Sequence, residues 1–422
     1  MSQQLSILAV TSQAPWPLDR GGHLRTYHLL RALAASHHVR LVAPASGAAE
    51  DAVQALADVG IDLRLAPVRP RSLWREAVRV GRAAATGEAY VMYARHRRRA
   101  VLRTLEREVR AQAPDLWYLD HLDSCVYAPH DRPFIVDCHN VYSEVARRTG
   151  EAARGWLRRW YLAREARLLG AAEQRAAQAA KAIIAVSDRD ARYFAGLGAR
   201  RVYVAPNGVD TSAYATVRRT GAGVEPIILF VGTLAWPPNT AAVLFLAQTV
   251  LPQVRSVIPN ARLRVIGADA PRGVQALAGL PGVEIAGRVA DMRPHLRDAH
   301  LLAVPLDAGG GTRLKILEAF AAGLPVVSTA IGAEGLRALP DEHLAVVDRD
   351  LFSLAVIDLL QRPERAAGLA ARARRLAADE YDWRAIGDVT CRAAEEAARP
   401  DRRARMITLP APIRQGVQEA RS

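Results

Sequence analysis

Apolar runs of four to six residues recur along this chain, separated by segments long enough to form helices. That alternation demands parallel strands joined by helical crossovers, so the fold class is α/β with helices on both faces of each sheet. A first series comprises Leu5 to Val10, Val39 to Ala43, Ile61 to Leu65, Leu116 to Leu119, Phe134 to Asp137, Ala182 to Val186 and Val202 to Ala205. A second comprises Pro226 to Val231, Arg262 to Ile266, Val283 to Ala286, Leu301 to Pro305, Pro325 to Ser328 and Leu344 to Val347. The chain has 422 residues, more than one core usually fills, and the series divide it accordingly.

Two doubly wound, Rossmann-like domains facing across a cleft are therefore expected: 1–215, then a polar linker at 216–225, then 226–382. A closing helix is expected at 383–398, packing back on the first domain, and a mobile basic tail at 399–422. Ligands of such sheets sit outside the carboxyl ends of the strands.

The segment after Leu301 to Pro305 reads Asp307-Ala308-Gly309-Gly310-Gly311-Thr312-Arg313-Leu314-Lys315. Thr312 suits a helix cap, which would put Arg313 and Lys315 in the first turn, beside amides that favour anions. Glycines there permit close backbone approach, and free N–H groups would complete a phosphate site. Of 57 basic residues all but Lys181 and Lys315 are arginine, so a compact ammonium at this place is notable. A surface pair between Lys315 and Glu318 would explain those two residues, but not the glycines or Arg313.

The formal charge is +14, which implies an acidic partner. Its excess lies between Arg64 and Arg110, interleaved with Trp74, Val78, Tyr90, Val91, Met92 and Tyr93. Such a stretch is either a face against anionic headgroups, making the protein peripheral to a membrane, or a solvated charged surface. Nucleic acid is not expected, because no zinc-finger or RNA-binding sheet motif accompanies the charge. Cys125, Cys138 and Cys391 show no paired or metal-ligand spacing, which suits a reducing compartment. No signal peptide or spanning stretch is read, so a cytoplasmic protein is expected, with any membrane contact at the inner face.

Three blocks in order, Gly21-Gly22, Pro206-Asn207-Gly208-Val209-Asp210 and Gly332-Ala333-Glu334-Gly335-Leu336, together with the Gly-Gly-Gly-Thr-Arg-Leu-Lys-Ile-Leu-Glu-Ala run, resemble the retaining glycosyltransferases of the GT-B fold, family 4. Within it the chain most resembles a bacterial branch near exopolysaccharide and protein-sorting (PEP-CTERM) loci. The resemblance implies a carboxyl-terminal domain that holds a nucleotide diphosphate sugar and an amino-terminal domain that holds the acceptor, a glycan or lipid-linked glycan. Glu318 matches the second glutamate of the family's Glu-x7-Glu motif, which binds the ribose hydroxyls. Gly310 stands where the first glutamate should be, leaving backbone amides of Gly309 to Gly311 to meet the sugar. Thr233 and Pro238 occupy the places of the family's diphosphate-gripping arginine and lysine, which makes Arg313 and Lys315 the replacements. Asn239 is expected to cap the next helix.

Gly21 and Gly22 open a helix expected from His23 to Ala34, either as a tight turn or as a donor contact. His139, at the end of the Phe134 to Asp137 strand, matches the cleft histidine that hydrogen-bonds the transferred sugar. His121 is a weaker candidate on the acceptor side. Arg288 and Val289 resemble the loop whose backbone reads the base. The resemblance implies retention without a protein nucleophile, cofactor or metal. Asp188-Arg189-Asp190 and Asp348-Arg349-Asp350 mimic a metal signature of another fold, but both precede helices and read as caps.

Three rivals remain in view. An oxidoreductase is disfavoured because no Gly-x-Gly-x-x-Gly follows Val10 or Val231. A nucleotide-sugar epimerase would need an acid and a base, and only His139 stands out. A nucleotide-binding scaffold without turnover is motivated by Gly310 and Pro238.

Overall fold

The computed structural model describes residues 4–18, 20–45, 49–68, 73–153, 155–215, 217, 225–308 and 313–399. Gly309, Gly310, Gly311 and Thr312, most of the expected linker, Arg69, Arg71, and the tail beyond 399 lie outside them.

Every expected strand forms. β1 (Ser6–Val10), β2 (His38–Pro44), β3 (Ile61–Ala66), β4 (Leu116–Asp120), β5 (Phe134–Cys138), β6 (Ala182–Ala185) and β7 (Val202–Val204) make one parallel sheet in the order β3-β2-β1-β4-β5-β6-β7. β8 (Ile227–Val231), β9 (Arg262–Ile266), β10 (Val283–Gly287), β11 (Leu301–Val304), β12 (Val326–Ser328) and β13 (Ala345–Val346) make a second, ordered β10-β9-β8-β11-β12-β13. In each sheet the order reverses once, between β1 and β4 and between β8 and β11, and crevices open at such reversals.

Covered faces explain the strand composition. All five residues of β1 are buried, because helices lie on both sides of a parallel sheet. Ile7 and Ala9 enter one apolar cluster and Leu8 and Val10 the other, following the pleat. Burying a side chain such as Leu8 contributes roughly 1.5–3 kcal/mol. The second sheet has its own cluster, centred on Phe230, Leu302, Phe320 and Val327.

The closing helix, Trp383–Ala398, is capped by Asp382, whose carboxylate accepts from Arg384 N at 2.9 Å. It buries Trp383, Ile386, Ala393 and Ala394 in the first domain's cluster. A Cβ on Gly387 would stand 2.5 Å from Ala32 Cβ, so this helix crosses helix Gly21–Ala34 closely enough to require glycine. Near the crossover between domains, Val209 N donates to Tyr381 O at 2.8 Å.

The interleaved apolar residues of the arginine-rich stretch separate into two kinds. Met92 and Tyr93 pack against the core, and the Tyr90 hydroxyl donates to Glu76. Trp74, Val78 and Val91 are exposed. The aspartate caps also need correcting. Ser187, rather than Asp188, accepts from Asp190 N (3.1 Å) at the start of helix Asp188–Gly196. Asp348 stands at the cap of a short 3-10 turn without a side-chain bond, and Arg349 pairs with Asp307 at 2.7 Å.

Candidate active site

Glycines remove side chains from the carboxyl edge of the second sheet. A Cβ on Gly267 would lie 1.8 Å from Gly232 O, and one on Gly232 would lie 2.6 Å from Asn239 Nδ2 and 2.9 Å from Lys315 Nζ. The turn after β8 therefore closes directly onto Lys315. Asn239 is buried at the third position of helix Pro237–Phe245, whose cap is Trp236, so it is not the helix cap expected for it. It donates to Thr233 O (2.9 Å) and accepts from Lys315 Nζ (3.2 Å), coupling the turn to the ammonium. Prolines at 237 and 238 start that helix where no amide bond is lost.

The helix after the glycine loop runs Leu314–Ala321 with Arg313 at its cap position, one residue later than a Thr312 cap implies. Arg313 is buried and donates to Ile331 O at 3.0 Å; burial lowers its pKa from the ordinary value. Lys315 is half-buried, 4.7 Å above the Phe230 ring. Burial, reinforced by Arg313 and opposed by Glu318, pushes its pKa down to about 7. An ammonium in that position gains from a phosphate what water no longer supplies. Glu318 stands one turn on. Burial raises its pKa, against a hydrogen bond from the Tyr214 hydroxyl and the charge of Lys315. Thr233 and Arg288 are exposed, and Val289 packs partly against the core at the end of β10.

On the facing domain, helix Gly21–Ala34 starts two residues earlier than expected, so both glycines lie in its first turn. A Cβ on Gly21 would be 3.2 Å from Leu314 Cδ1, and one on Gly22 would be 3.8 Å from His139 Nδ1. The two helix starts thus meet with His139 beside them. His139 Nε2 lies 3.0 Å from Asp120 Oδ1 and 3.2 Å from Asp137 Oδ2. Burial opposes its charge, yet the two carboxylates outweigh it and raise its pKa to about 9. Arg25, fully buried, grips Asp137 through Nε and Nη2 and donates through Nη1 to Ala205 O at 2.6 Å and Asn207 Oδ1 at 3.3 Å. Asp137 stays well below the usual carboxylate range: burial works to raise it, but Arg25 and His139 prevail. Thr11 and Thr26 donate to Asp120 at 2.6 and 3.0 Å.

Asp120, Asp137 and His139 place ligand-type atoms within 4.8 Å of one another. Arg25 already holds Asp137, and His139 Nε2 points at both carboxylates. The cluster is consequently a neutralised ion network, two anions against two cations, rather than an open coordination site.

His121 has φ 75° and sits behind His139, ring centres 4.4 Å apart. Its Nδ1 accepts from Leu122 N (3.1 Å), so Nε2 carries the proton toward the Tyr142 hydroxyl (2.8 Å). Burial and neighbouring His139 hold its pKa well below the ordinary value. Both nitrogens are engaged, which makes it a support for His139.

Sequence reading missed Arg25, Asp120 and Tyr214, and gave Asn239 only as a helix cap. Only Asn207, inside the Pro206 to Asp210 block, signalled that something must meet that loop. It also missed a link between domains: Arg337 donates to both oxygens of Asp188 at 2.8 and 3.0 Å.

Two family models match, "Glycosyltransferase Family 4" over residues 20–213 and "Glycosyl transferases group 1" over 225–378. The chain belongs to the family 4 glycosyltransferases. A GDP-mannose-dependent alpha-(1-6)-phosphatidylinositol monomannoside mannosyltransferase of Mycolicibacterium smegmatis is 30% identical over 206 residues, covering 43% of this chain and 53% of that protein. The chain spans about half the length of that relative. Among solved structures, Anabaena HepE in complex with UDP and glucose is similar at TM-score 0.62 and 16% identity, covering 91% of this chain and 98% of that one. A glycosyltransferase from Rickettsia africae is similar at TM-score 0.64 and 11% identity, covering 94% and 100%. These structures carry the GT-B fold, two α/β domains, which this chain shares.

Proposed function

We propose that this family 4 glycosyltransferase moves a hexose from a nucleotide diphosphate sugar to a hydroxyl of a lipid-linked glycan, with retention and without a metal. One observation carries the reading: Lys315 and His139 lie on facing domains, beside helix starts so close that a Cβ on Gly21 would stand 3.2 Å from Leu314 Cδ1. Lys315 and the start of its helix would meet the diphosphate, and Glu318 the ribose. His139, charged and aimed by Asp120 and Asp137 through Nε2, leaves Nδ1 to donate to a sugar hydroxyl near Gly22.

Retention needs no protein nucleophile when the departing phosphate oxygen accepts the proton of the acceptor hydroxyl on the same face of the sugar. The chain's task is then to stabilise charge growing on the diphosphate and to hold both substrates in line. Arg25 and His139 already balance the two buried carboxylates, so they offer no attacking group. The relatives' names differ on the base: the Mycolicibacterium enzyme is GDP-mannose-dependent, and HepE was solved with UDP. The former's phosphatidylinositol acceptor supports a lipid-linked substrate here. Among the described residues no helix is long and apolar enough to cross a membrane, so such an acceptor would be reached from the surface.

Incubation with radiolabelled GDP-mannose or UDP-glucose and extracted bacterial lipids tests this. Label entering the lipid phase, undiminished by a chelator and with the donor's anomeric configuration, is expected. Nucleotide binding with neither transfer nor hydrolysis would favour the scaffold reading.

A further inference from the structure

The first turn of helix Trp156–Ala179 is apolar on the outside. Trp156 is 75% exposed, Leu157 62% and Trp160 63%. Trp156 and Trp160 are four residues apart and Leu157 and Trp160 three, so all three share one face. A large apolar patch rimmed by polar groups marks an interaction surface. Tryptophan, apolar with a single N–H donor, suits a boundary that is oily on one side and wet on the other.

A second exposed aromatic turn stands on a helix that Tyr90 ties to this one. Trp74 (77% exposed) and Val78 (56%) lie four residues apart on helix Leu73–Thr86. Tyr90 joins the two helices: its backbone N–H donates to Glu165 at 3.0 Å, and its hydroxyl donates to Glu76. Glu76 is two residues from Trp74 and Glu165 nine from Trp156, about half a turn round the helix in each case, so the bridge ties the helices on the sides turned away from these aromatics.

Charge selects the occupant. Arg158 and Arg159 sit between the tryptophans and make no ion pair among the described residues. Arg147 and Arg148, on the neighbouring helix Tyr142–Ala152, are by contrast taken up by Glu144 and Glu151. A second copy meeting this face by two-fold symmetry would set arginine against arginine. An anionic lipid surface offers the opposite charge together with a layer into which indoles insert.

We propose that Trp156, Leu157 and Trp160 form a face that seats the amino-terminal domain on an anionic bilayer. This deepens the lipid-linked acceptor reading, and it is measured without turnover, so either can fail alone.

The test is co-sedimentation with phosphatidylcholine vesicles containing or lacking phosphatidylglycerol, with tryptophan quenching by lipids brominated in the acyl chain. Wild-type protein should bind the anionic vesicles and be quenched. Trp156→Ala with Trp160→Ala should lose binding about tenfold and lose quenching, with thermal stabilisation by GDP or UDP unchanged. Arg158→Gln with Arg159→Gln should lose the preference for anionic vesicles while keeping quenching at high lipid. Undiminished vesicle binding by the tryptophan double variant overturns the proposal. So does wild-type protein that ignores anionic vesicles, or that self-associates through this face, seen as a dimer the double variant does not form.

Discussion

Gly21 faces Leu314 across the domain cleft: a Cβ on the glycine would lie 3.2 Å from Leu314 Cδ1. A helix start from each domain is thereby brought to one place, and each helix carries the residues proposed to handle the donor.

Gly21→Val should therefore hold the domains apart. Valine's two methyls would push on Leu314, and a displacement of an ångström in a reacting geometry costs about a hundredfold in rate. The melting temperature should barely move, because the strain is relieved by opening. Steady-state kinetics beside a thermal melt decides this; a large fall in melting temperature with unchanged kcat would contradict it.

Lys315→Met should lower turnover by about 10²–10³, the scale of losing one preorganised charge-stabilising group. Stability should hold or rise, since an ammonium whose charge burial disfavours is replaced by a side chain that packs. Unchanged turnover in a cooperatively folding variant removes Lys315 from the site.

Lys315 also predicts proton uptake on binding. Its pKa lies at about 7 against an ordinary 10.5, and an incoming diphosphate raises it again. Between those values the free protein is largely neutral at this site, so nucleotide diphosphate affinity should fall as pH rises through the window. Calorimetry at pH 8 in buffers of different ionisation enthalpy should register the uptake, and Lys315→Arg should abolish it. Buffer-independent heats in the wild type would refute the link.

His139 makes the opposite prediction for folding. Its pKa is raised from 6.5 to about 9, so the stability it contributes is fully present below 6.5 and disappears as pH climbs through 9. The melting-temperature gap between wild type and His139→Asn should be widest near pH 6 and close above pH 9. A gap constant across that range would show that His139 is not held charged.

Asp188→Asn should separate the domain link from folding. Asp188 and Arg337 are each more than half exposed, so their pairing contributes no more than about 1 kcal/mol to stability. Its effect should appear in the open–closed equilibrium, read by small-angle scattering with and without nucleotide. Identical scattering curves would leave the pair without a role in closure.

The parallel sheets were legible because their signal is local: apolar runs of strand length, bounded by turns, recur in order. The glycine-containing blocks were legible for a related reason, since Gly208 and Gly332 leave no room for a side chain: a Cβ would lie 2.8 Å from Tyr381 O and 2.5 Å from Val304 O respectively. The start of helix Leu314–Ala321 was misplaced by one residue, because a threonine looks like a cap whether or not the chain uses it.

Arg25, Asp120 and Asp137, gathered around His139, show what could not be read. Arg25 and Asp137 are 112 residues apart, on a helix and a strand that each look ordinary alone. Only closing the sheet in the order β1-β4-β5 brings them together and excludes water, which turns a chance set of charges into a rigid cluster. By itself the sequence determined two doubly wound domains and the placing of two cations after a glycine run at one helix start, because pattern and composition act over a few neighbours. Which ammonium loses its charge near pH 7, which imidazole keeps it to 9, and which tryptophans stay outside were decided by tertiary structure, because burial and Coulomb energy depend on what packs nearby in space.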